Sequence, residues 1–568
     1  MSSQQELLNQ CETEPIHEIG YIQAYGYILA IDRSSYTVHQ ASKNVEALFD
    51  IPIDDVIGAS IDEFFPFSLL EHLEHFVKNA KENQHYSLSF QLRNRPYILQ
   101  SHIGTEIILL EIEPDSLEHR NDSYYKYANL VDNLSLQIEE ASSIEQTCER
   151  ILSASKALLG FDRTMIYKFG DDGHGEVIAE KADDNKQKYL GLRFPASDIP
   201  AQARRLYLIN TIRGIWDVNE DPVPIVPTLR ESDQKPLDLS FSFLRSVSPV
   251  HIQYLKNMGL RASFSISIIV QKQLWGLVLC HHSSEAHRLN IHQRRASIFL
   301  GNFLSQKISG IQENLKLKAL RQRLKDAVHV ISNLASSKDL HIAIKNSRAD
   351  LLKSLEADDY LLVHGGSSSS SFAEGILPQE WLDSISVQIA GLQDHAFATR
   401  SISDAFGLEF HKSLPAGMLV LKLSHGLNEY LILFRKEESE NVDWGGKPSK
   451  PDENNVLHPR SSFAKWEEEV LGKCKSWSPE EILFAEELRV NIIESILIHA
   501  AKEVVDEKDS SAVLKRLKER NHELESNNKV LREEIERLQR MESDFRLNQE
   551  VLQAKKELKY LKQIEKGN

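Results

Sequence analysis

Residues Arg261 to His282 read RASFSISIIVQKQLWGLVLCHH, and of all segments they come nearest to a membrane span. The two apolar runs, Phe264–Val270 and Leu274–Cys280, are split by the polar triplet Gln271-Lys272-Gln273. Neither run approaches the roughly 18–20 apolar residues needed to cross a bilayer. The stretch therefore predicts two β-strands joined by a tight turn. Along the first strand, Ser263, Ser265 and Ser267 alternate with apolar residues and share one face. The spacing predicts a sheet with an apolar layer on one side and hydroxyls on the other.

Around this hairpin, residues 190–290 collect Asp198, Arg204, Arg205, Arg213, Arg245, His251, Tyr254 and His281. Guanidinium groups beside hydroxyls suit carboxylates or phosphates, which they hold by charge-assisted, bidentate bonds. The combination points to a pocket for a ligand that carries acid groups on an apolar body. Taken singly, each arginine is ordinarily a surface ion-pair former and each alternate serine an ordinary solvated position. Adjacent His281 and His282 point to opposite faces of a strand and do not chelate one ion together. No Cys-x-x-Cys or His-Glu-x-x-His spacing supports zinc, so no metal is expected. Residues 170–175 (GDDGHG) lack the following helix and lysine of a phosphate loop, and read as a hairpin turn.

The whole chain has 568 residues, enough for three or four domains. Acidic residues outnumber basic ones 83 to 66, a formal charge of -17 that argues against a nucleic-acid binder. The N-terminus lacks the basic and apolar regions of a secretory signal. The four cysteines, Cys11, Cys148, Cys280 and Cys474, are too few and scattered for a disulfide framework. A cytoplasmic, reduced protein with no membrane association is expected.

Strand-like runs at Tyr25–Asp32 and Tyr97–Ile103, with a helical segment at Leu69–Lys81 between them, make residues 1–125 a small antiparallel sheet with helices. A second mixed domain follows over 126–310, opening with a helical pattern from Tyr124 to Leu159 and containing strands at Arg163–Phe169 and Glu176–Glu180. Helical periodicity over 290–356, interrupted near Ser336-Ser337, leads into a third domain over 311–505. There, Gly365–Ser371 looks like a disordered serine loop. A long excursion at about 442–479, rich in Gly, Pro, Trp and charge, is of a length that is more often functional than passive. Over 506–568, Leu517, Leu524, Leu531 and Leu538 recur every seven residues, with Leu514, Asn521, Asn528 and Ile535 in the complementary seam. The pattern predicts a coiled coil, and Asn at two core positions favours a parallel homodimer. The expected class is α+β: multidomain, antiparallel sheets with helices, joined by long helices and followed by the coiled coil.

The run Pro195–Arg204 (PASDIPAQAR), followed by Leu244–Leu255 (LRSVSPVHIQYL) and Leu274–His282 (LWGLVLCHH), closely resembles bacterial phytochromes, the bilin-binding red/far-red photoreceptors. Cys11–His17 (CETEPIH) near the N-terminus adds to the likeness, and Trp444-Gly445-Gly446 with Pro459–Phe463 (PRSSF) look like the family's tongue. These separated motifs follow the family's order of PAS, GAF and PHY domains across about residues 8–505.

The resemblance implies that Cys11 forms a thioether to biliverdin. Relatives that attach their bilin in the second domain carry a cysteine just before the residue matching His251, where this chain has Val250. It further implies that Asp198 and His251 face the pyrrole nitrogens, with Ile199 in the same wall. Arg213 and Arg245 match residues that hold one propionate, and Ser248, His251, Ser263 and Ser265 surround the other. Tyr167, Phe194, Tyr207 and His281 match residues around the ring that isomerises, with Tyr254 beside Asp198. Trp444, Arg460 and Ser462 belong to the tongue. In relatives the Asp pairs with the tongue Arg in the red-absorbing state. After isomerisation the tongue refolds from hairpin toward helix, and the Asp bonds to groups matching Tyr254 and Ser462. The family also implies that the N-terminal segment threads a lasso formed by about residues 220–246.

No kinase or cyclase motif is evident, and His522 reads as a solvated coiled-coil residue. A photoreceptor without enzymatic output in this chain is therefore expected, signalling through its coiled coil to an unknown downstream protein. The alternatives are the sensory part of a light-regulated histidine kinase or diguanylate cyclase, and a dimeric PAS/GAF scaffold that has lost its bilin.

Overall fold

The computed structural model describes residues 14–79, 85–115, 132–133, 136–184, 186–372, 377–409, 411–424, 428–438, 440–446 and 462–506. Cys11, Arg460 and the heptads after Asp506 lie outside the described residues. The chain forms two compact units: residues 1–317 with 440–470, and residues 318–439 with 471–568.

The first unit holds two sheets. One contains β1 (Tyr21–Ile22), β2 (Tyr27–Asp32), β3 (Val38–Ser42), β4 (His85–Leu92), β5 (Arg95–Ile103) and β6 (Ile107–Pro114). Its helix Phe67–Asn79 buries Leu69, Leu73 and Val77, one residue per turn, against that sheet's core.

The other sheet contains β7 (Arg163–Phe169), β8 (Gly175–Ala182), β9 (Arg193–Phe194), β10 (Ile212–Ile215), β12 (Ala262–Val270) and β13 (Gln273–His282), in the order β10-β12-β13-β7-β8-β9. The β12–β13 turn is Gln271-Lys272, both with positive φ (51° and 63°). That backbone matches the twist of a two-residue hairpin. The helical pattern expected from Tyr124 to Leu159 is interrupted within its described residues. The chain leaves the helix at 140–143, and Ser143 caps a new one, Ile144–Leu159, by accepting from the Gln146 N–H at 3.2 Å.

Residues 190–246 contain β11 (Val223–Val226), which leaves its own domain and lies between β1 and β3 in the first sheet. On the opposite edge of β1, Gln23 N–H donates to Leu244 O at 2.8 Å and Ser246 N–H to Tyr21 O at 3.0 Å. The segment at Tyr21–Gln23 is thus bonded on both sides by residues 223–246.

The second unit is built on β14 (Asp359–His364), β15 (Ser367–Ser370), β16 (Ala396–Thr399), β17 (Gly417–Lys422) and β18 (Tyr430–Arg435), in the order β15-β14-β18-β17-β16. The serine run expected to be a disordered loop is therefore an edge strand. Gly365 and Gly366 supply the positive-φ turn, and His341 bonds the hydroxyl of Ser369 at 2.7 Å and that of Ser367 at 3.0 Å. Composition alone concealed the strand, because serine's lack of apolar surface is replaced here by ladder bonds.

A 46-residue helix, Ile291–Ser336, belongs to both units, and the helix Pro479–Asp506 to the second. Among the described residues no helix is long and apolar enough to cross a membrane. The excursion after β18 begins and ends as a hairpin, β19 (Glu440–Gly445) with β20 (Lys465–Val470), which joins the edge of the second sheet through β9.

Candidate functional site: an arginine-floored cavity on the second sheet

The two faces of the second sheet differ. Ala262, Phe264, Ile266, Ile268, Val278 and Cys280 fill one side as a solid core with the flanking helices. On the other side Ser263, Ser265, Met165, Tyr167, Leu279 and His281 line a cavity. Every described residue singled out for the bilin lines it: Tyr167, Phe194, Asp198, Ile199, Tyr207, Arg213, Arg245, Ser248, His251, Tyr254, Ser263, Ser265 and His281. Ser267, on the same strand face, is instead engaged by the helix above it, donating to Tyr207 O at 2.7 Å.

Local sequence explains how the walls are held. Pro195 and Pro200, with φ near -65° and -67°, bracket the short turn Ala196–Asp198 and start the helix Ala201–Ile209. Ser248 and Pro249 start the helix Pro249–Asn257, with the proline in its first turn. His251 and Tyr254, three residues apart, lie on one face of that helix with rings 5.8 Å apart and nearly parallel. The Tyr254 hydroxyl donates to Asp198 Oδ2 at 2.9 Å.

At the floor, Arg213 on β10 pairs across to Ser265, and its guanidinium donates to Phe243 O (3.3 Å), Ser246 O (2.8 Å) and Arg245 O. Arg245 donates to Ile16 O at 3.0 Å, and its Nε has no hydrogen-bond partner among the described residues. Among the described residues, the hydrogen bonds of both guanidiniums go to backbone carbonyls and none to a carboxylate. Burial, with Arg213 adding repulsion, pulls Arg245 down to about 9, and burial lowers Arg213 as well. Two buried cations this close are stabilised by an arriving acid group.

Burial and then Arg213 push His251 down to about 4; burial and then Arg163 push His281 down to about 3. Both imidazoles are neutral at pH 7, and His281 Nδ1 is buried with no hydrogen-bond partner among the described residues. His282 turns away to the other side, where Asp162 lies 3.9 Å from it. No group of metal ligands occurs among the described residues.

The β19–β20 hairpin touches this cavity's wall in two places. A Cβ added at Gly445 would lie 2.6 Å from the Phe194 ring, so only glycine lets the strand seat there. Phe463 packs edge-on against Tyr254 with centroids 5.1 Å apart, and its carbonyl accepts from Gln187 at 2.9 Å. Trp444 lies away from the cavity, donating to Glu468 at 2.7 Å and facing the His174 ring. Ser462 is exposed. The Tyr254–Asp198 bond, which the resemblance assigned to the refolded tongue, is here present beside hairpin strands, with Phe463 bracing the phenol.

Sequence reasoning missed several polar residues in the walls: Glu14, Ser197, Gln202 and Asn210. Glu14 stood inside a quoted motif without a role; its carboxylate accepts from Ser248 Oγ at 3.3 Å. Asn210 gave no signal, being a helix C-cap whose side chain binds Phe241 O at 3.3 Å.

Among the described residues, fold and site define a multidomain module with a chamber suited to a ligand that carries acid groups on an apolar body. Family comparisons match residues 11–115 to the PAS fold, 143–306 to the GAF domain and 322–501 to the phytochrome region. A bacteriophytochrome of Xanthomonas campestris is 32% identical over 512 residues, covering 85% of this chain and 78% of that protein. Cyanobacterial phytochrome B of Nostoc is 31% identical over 522 residues, covering 86% of this chain; the chain spans 66% of that relative's length. The phytochrome photosensory core module of Stigmatella aurantiaca superposes with a TM-score of 0.75 at 30% identity, covering 86% of this chain and 98% of that structure. The chain belongs to the phytochrome family of red/far-red photoreceptors, as a PAS–GAF–PHY photosensory module.

Proposed function

We propose that this chain is a biliverdin-dependent light switch in which Cys11 carries the pigment and the arginine-floored cavity holds it. The carrying observation is the pair of buried guanidiniums, Arg213 and Arg245, whose hydrogen bonds among the described residues go to backbone carbonyls at the floor of a largely apolar and aromatic chamber. A tetrapyrrole with two propionates fits that chemistry: the arginines and the hydroxyls of Ser248, Ser263 and Ser265 suit its acid groups, and Met165, Tyr167 and Phe194 suit its rings. Bound biliverdin supplies the light-absorbing conjugated system and a terminal double bond that isomerises on excitation.

The chain's own residues do the rest. Arg213 and Arg245 neutralise carboxylates in a buried site. Asp198 and the neutral His251 supply hydrogen-bond acceptors near the pyrrole nitrogens. Tyr167, Phe194, Tyr207 and His281 bound the space of the moving ring. Asp198, through Tyr254, and Phe194 sense that space and meet the hairpin at Phe463 and Gly445. Arg460 joins Asp198 in the red-absorbing state, and its loss of that partner starts tongue refolding. The protein acts in the cytoplasm as a parallel homodimer held by the coiled coil, and passes its state to an effector in trans or in a longer protein.

The test is absorption spectroscopy of protein assembled with biliverdin, after red and after far-red light. A reversible exchange of red and far-red bands is expected, with pigment removed by denaturation in Cys11→Ser but retained by the parent. Absence of uptake, or uptake without photochemistry, would replace this reading with that of a bilin-free PAS/GAF scaffold.

A further inference from the structure

Away from the cavity, the second unit buries a charged cluster that the light switch as described does not use. Arg435 at the end of β18 is 3% exposed and Glu481 is 2% exposed, with Nη2 to Oε1 at 2.9 Å. Arg323 of the 46-residue helix reaches the same Oε1 at 3.1 Å. Glu481 also closes a reciprocal cap on the helix Pro479–Asp506: its Oε2 accepts from Ser478 N–H at 2.8 Å, and its N–H donates to Ser478 Oγ at 3.1 Å.

Arg435 spends its remaining donors on the backbone. Nε donates to Glu356 O (3.0 Å), Nη2 to Leu355 O (3.0 Å), and Nη1 to Lys475 O (3.1 Å) and Ser476 O (2.9 Å). Its plane lies over Trp477 at 3.7 Å. One guanidinium thus ties the strand that leads into the tongue, five residues before β19, to the segment that leaves it, five residues after β20. The partner carboxylate begins the last helix and holds the connecting helix through Arg323. A buried cluster of this kind has few intermediate arrangements, because removing one partner strands a charge without water.

We propose that Arg435 and Glu481 form a clasp that converts a change in the tongue's two roots into a change at the start of the helix Pro479–Asp506. They are positioning residues outside the pigment site. The inference rests on the proposed tongue refolding, and adds where that refolding is handed on. Pulling the roots apart loads Arg435; Arg435 bears on Glu481; Glu481 is the cap on which the helix N-terminus depends.

The test uses the full chain assembled with biliverdin and compares amide hydrogen exchange of residues 479–492 in the two light states. Two variants are measured beside the parent: Glu481→Gln, which preserves the cap and the shape but removes the charge, and Arg435→Lys, which keeps the charge but cannot reach four carbonyls. The parent is expected to show a light-dependent difference of about tenfold in protection, equivalent to about 1.4 kcal/mol. Both variants are expected to keep the parent's absorption bands and photoconversion while that difference falls below about twofold. A full light-dependent difference in Glu481→Gln would overturn the clasp. So would a parent that photoconverts without any difference in this helix, or a Glu481→Gln protein that loses photoconversion itself. A parent that does not photoconvert at all would overturn the functional reading instead.

Discussion

The β-sheets at the centres of the GAF and PHY domains use nearly the same architecture for opposite ends. In the PHY sheet, β17 and β18 are buried along their whole length. Met418, Val420, Ile432 and Phe434 pack into one core, and Leu419, Leu421, Leu431 and Leu433 into another on the reverse face. In the GAF sheet, β12 alternates Phe264 and Ile266 toward solid core with Ser263 and Ser265 toward a chamber. A strand that is apolar at every position is filled on both sides and carries load; one that alternates apolar residues with hydroxyls reserves one side for something else. The two sheets therefore answer differently to the same kind of mutation.

The largest effect is expected where both faces are filled. Ile432→Ala opens a cavity in the PHY sheet and should cost about 2–5 kcal/mol in denaturant unfolding, with the pigment's absorption bands unchanged. A shifted spectrum would break the division between load-bearing and ligand-holding sheets. Next comes the floor of the chamber. Arg245→Ala, made on a Cys11→Ser background so that binding is reversible, removes charge-assisted bonds of about 1.5–3 kcal/mol. Titration with biliverdin should show affinity weakened by roughly ten- to a hundredfold. Equal affinity would mean that the acid groups are held elsewhere.

A smaller effect is expected at the rim. Gly445→Ala forces a methyl into the Phe194 ring and should loosen the β19–β20 hairpin by about 1–3 kcal/mol, read as faster amide exchange in those strands. The smallest concerns pH. Burial holds His251 near 4 and His281 near 3, so the unfolded chain, with ordinary imidazoles, takes up protons first as pH falls. Pigment-free protein should be most stable above about pH 6.5 and lose on the order of 1 kcal/mol between pH 7 and pH 6, seen as a falling Tm. A flat profile across that window would show the two imidazoles to be hydrated.

The same contrast explains what the sequence disclosed. The β12–β13 hairpin is legible to within two residues at each end because its serines and aliphatics alternate in register with the strand period. His281 and His282 are correctly assigned to opposite faces by that period alone. The domain order was legible through six separated motifs, and thirteen cavity residues follow from them. β11 was not legible, since its pairing partners Ser42 and Ala41 belong to another domain and nothing in its own four residues announces them. The serine strand β15 was hidden by composition, and the break before Ser143 by a helical pattern that runs through it. Glu14 and Asn210 reach the chamber only because chain segments far apart in sequence meet there. Arg435 and Glu481 gave no signal at all, because an isolated Arg and Glu look like surface charges until the fold buries them together.

Under the proposed function, light is read in the chamber on the hydroxyl face of the GAF sheet. The most direct measurement is a biliverdin assembly and red/far-red difference spectrum of Ser265→Leu beside the parent, with both proteins first shown to unfold at similar temperatures. Ser265 is 4% exposed and its hydroxyl bonds Tyr207 at 3.1 Å, so leucine there occupies the chamber while leaving the solid face of the sheet intact. The parent should take up pigment and photoconvert reversibly, and the folded variant should do neither. A folded Ser265→Leu protein that binds and photoconverts like the parent would place the pigment outside this chamber and contradict the account.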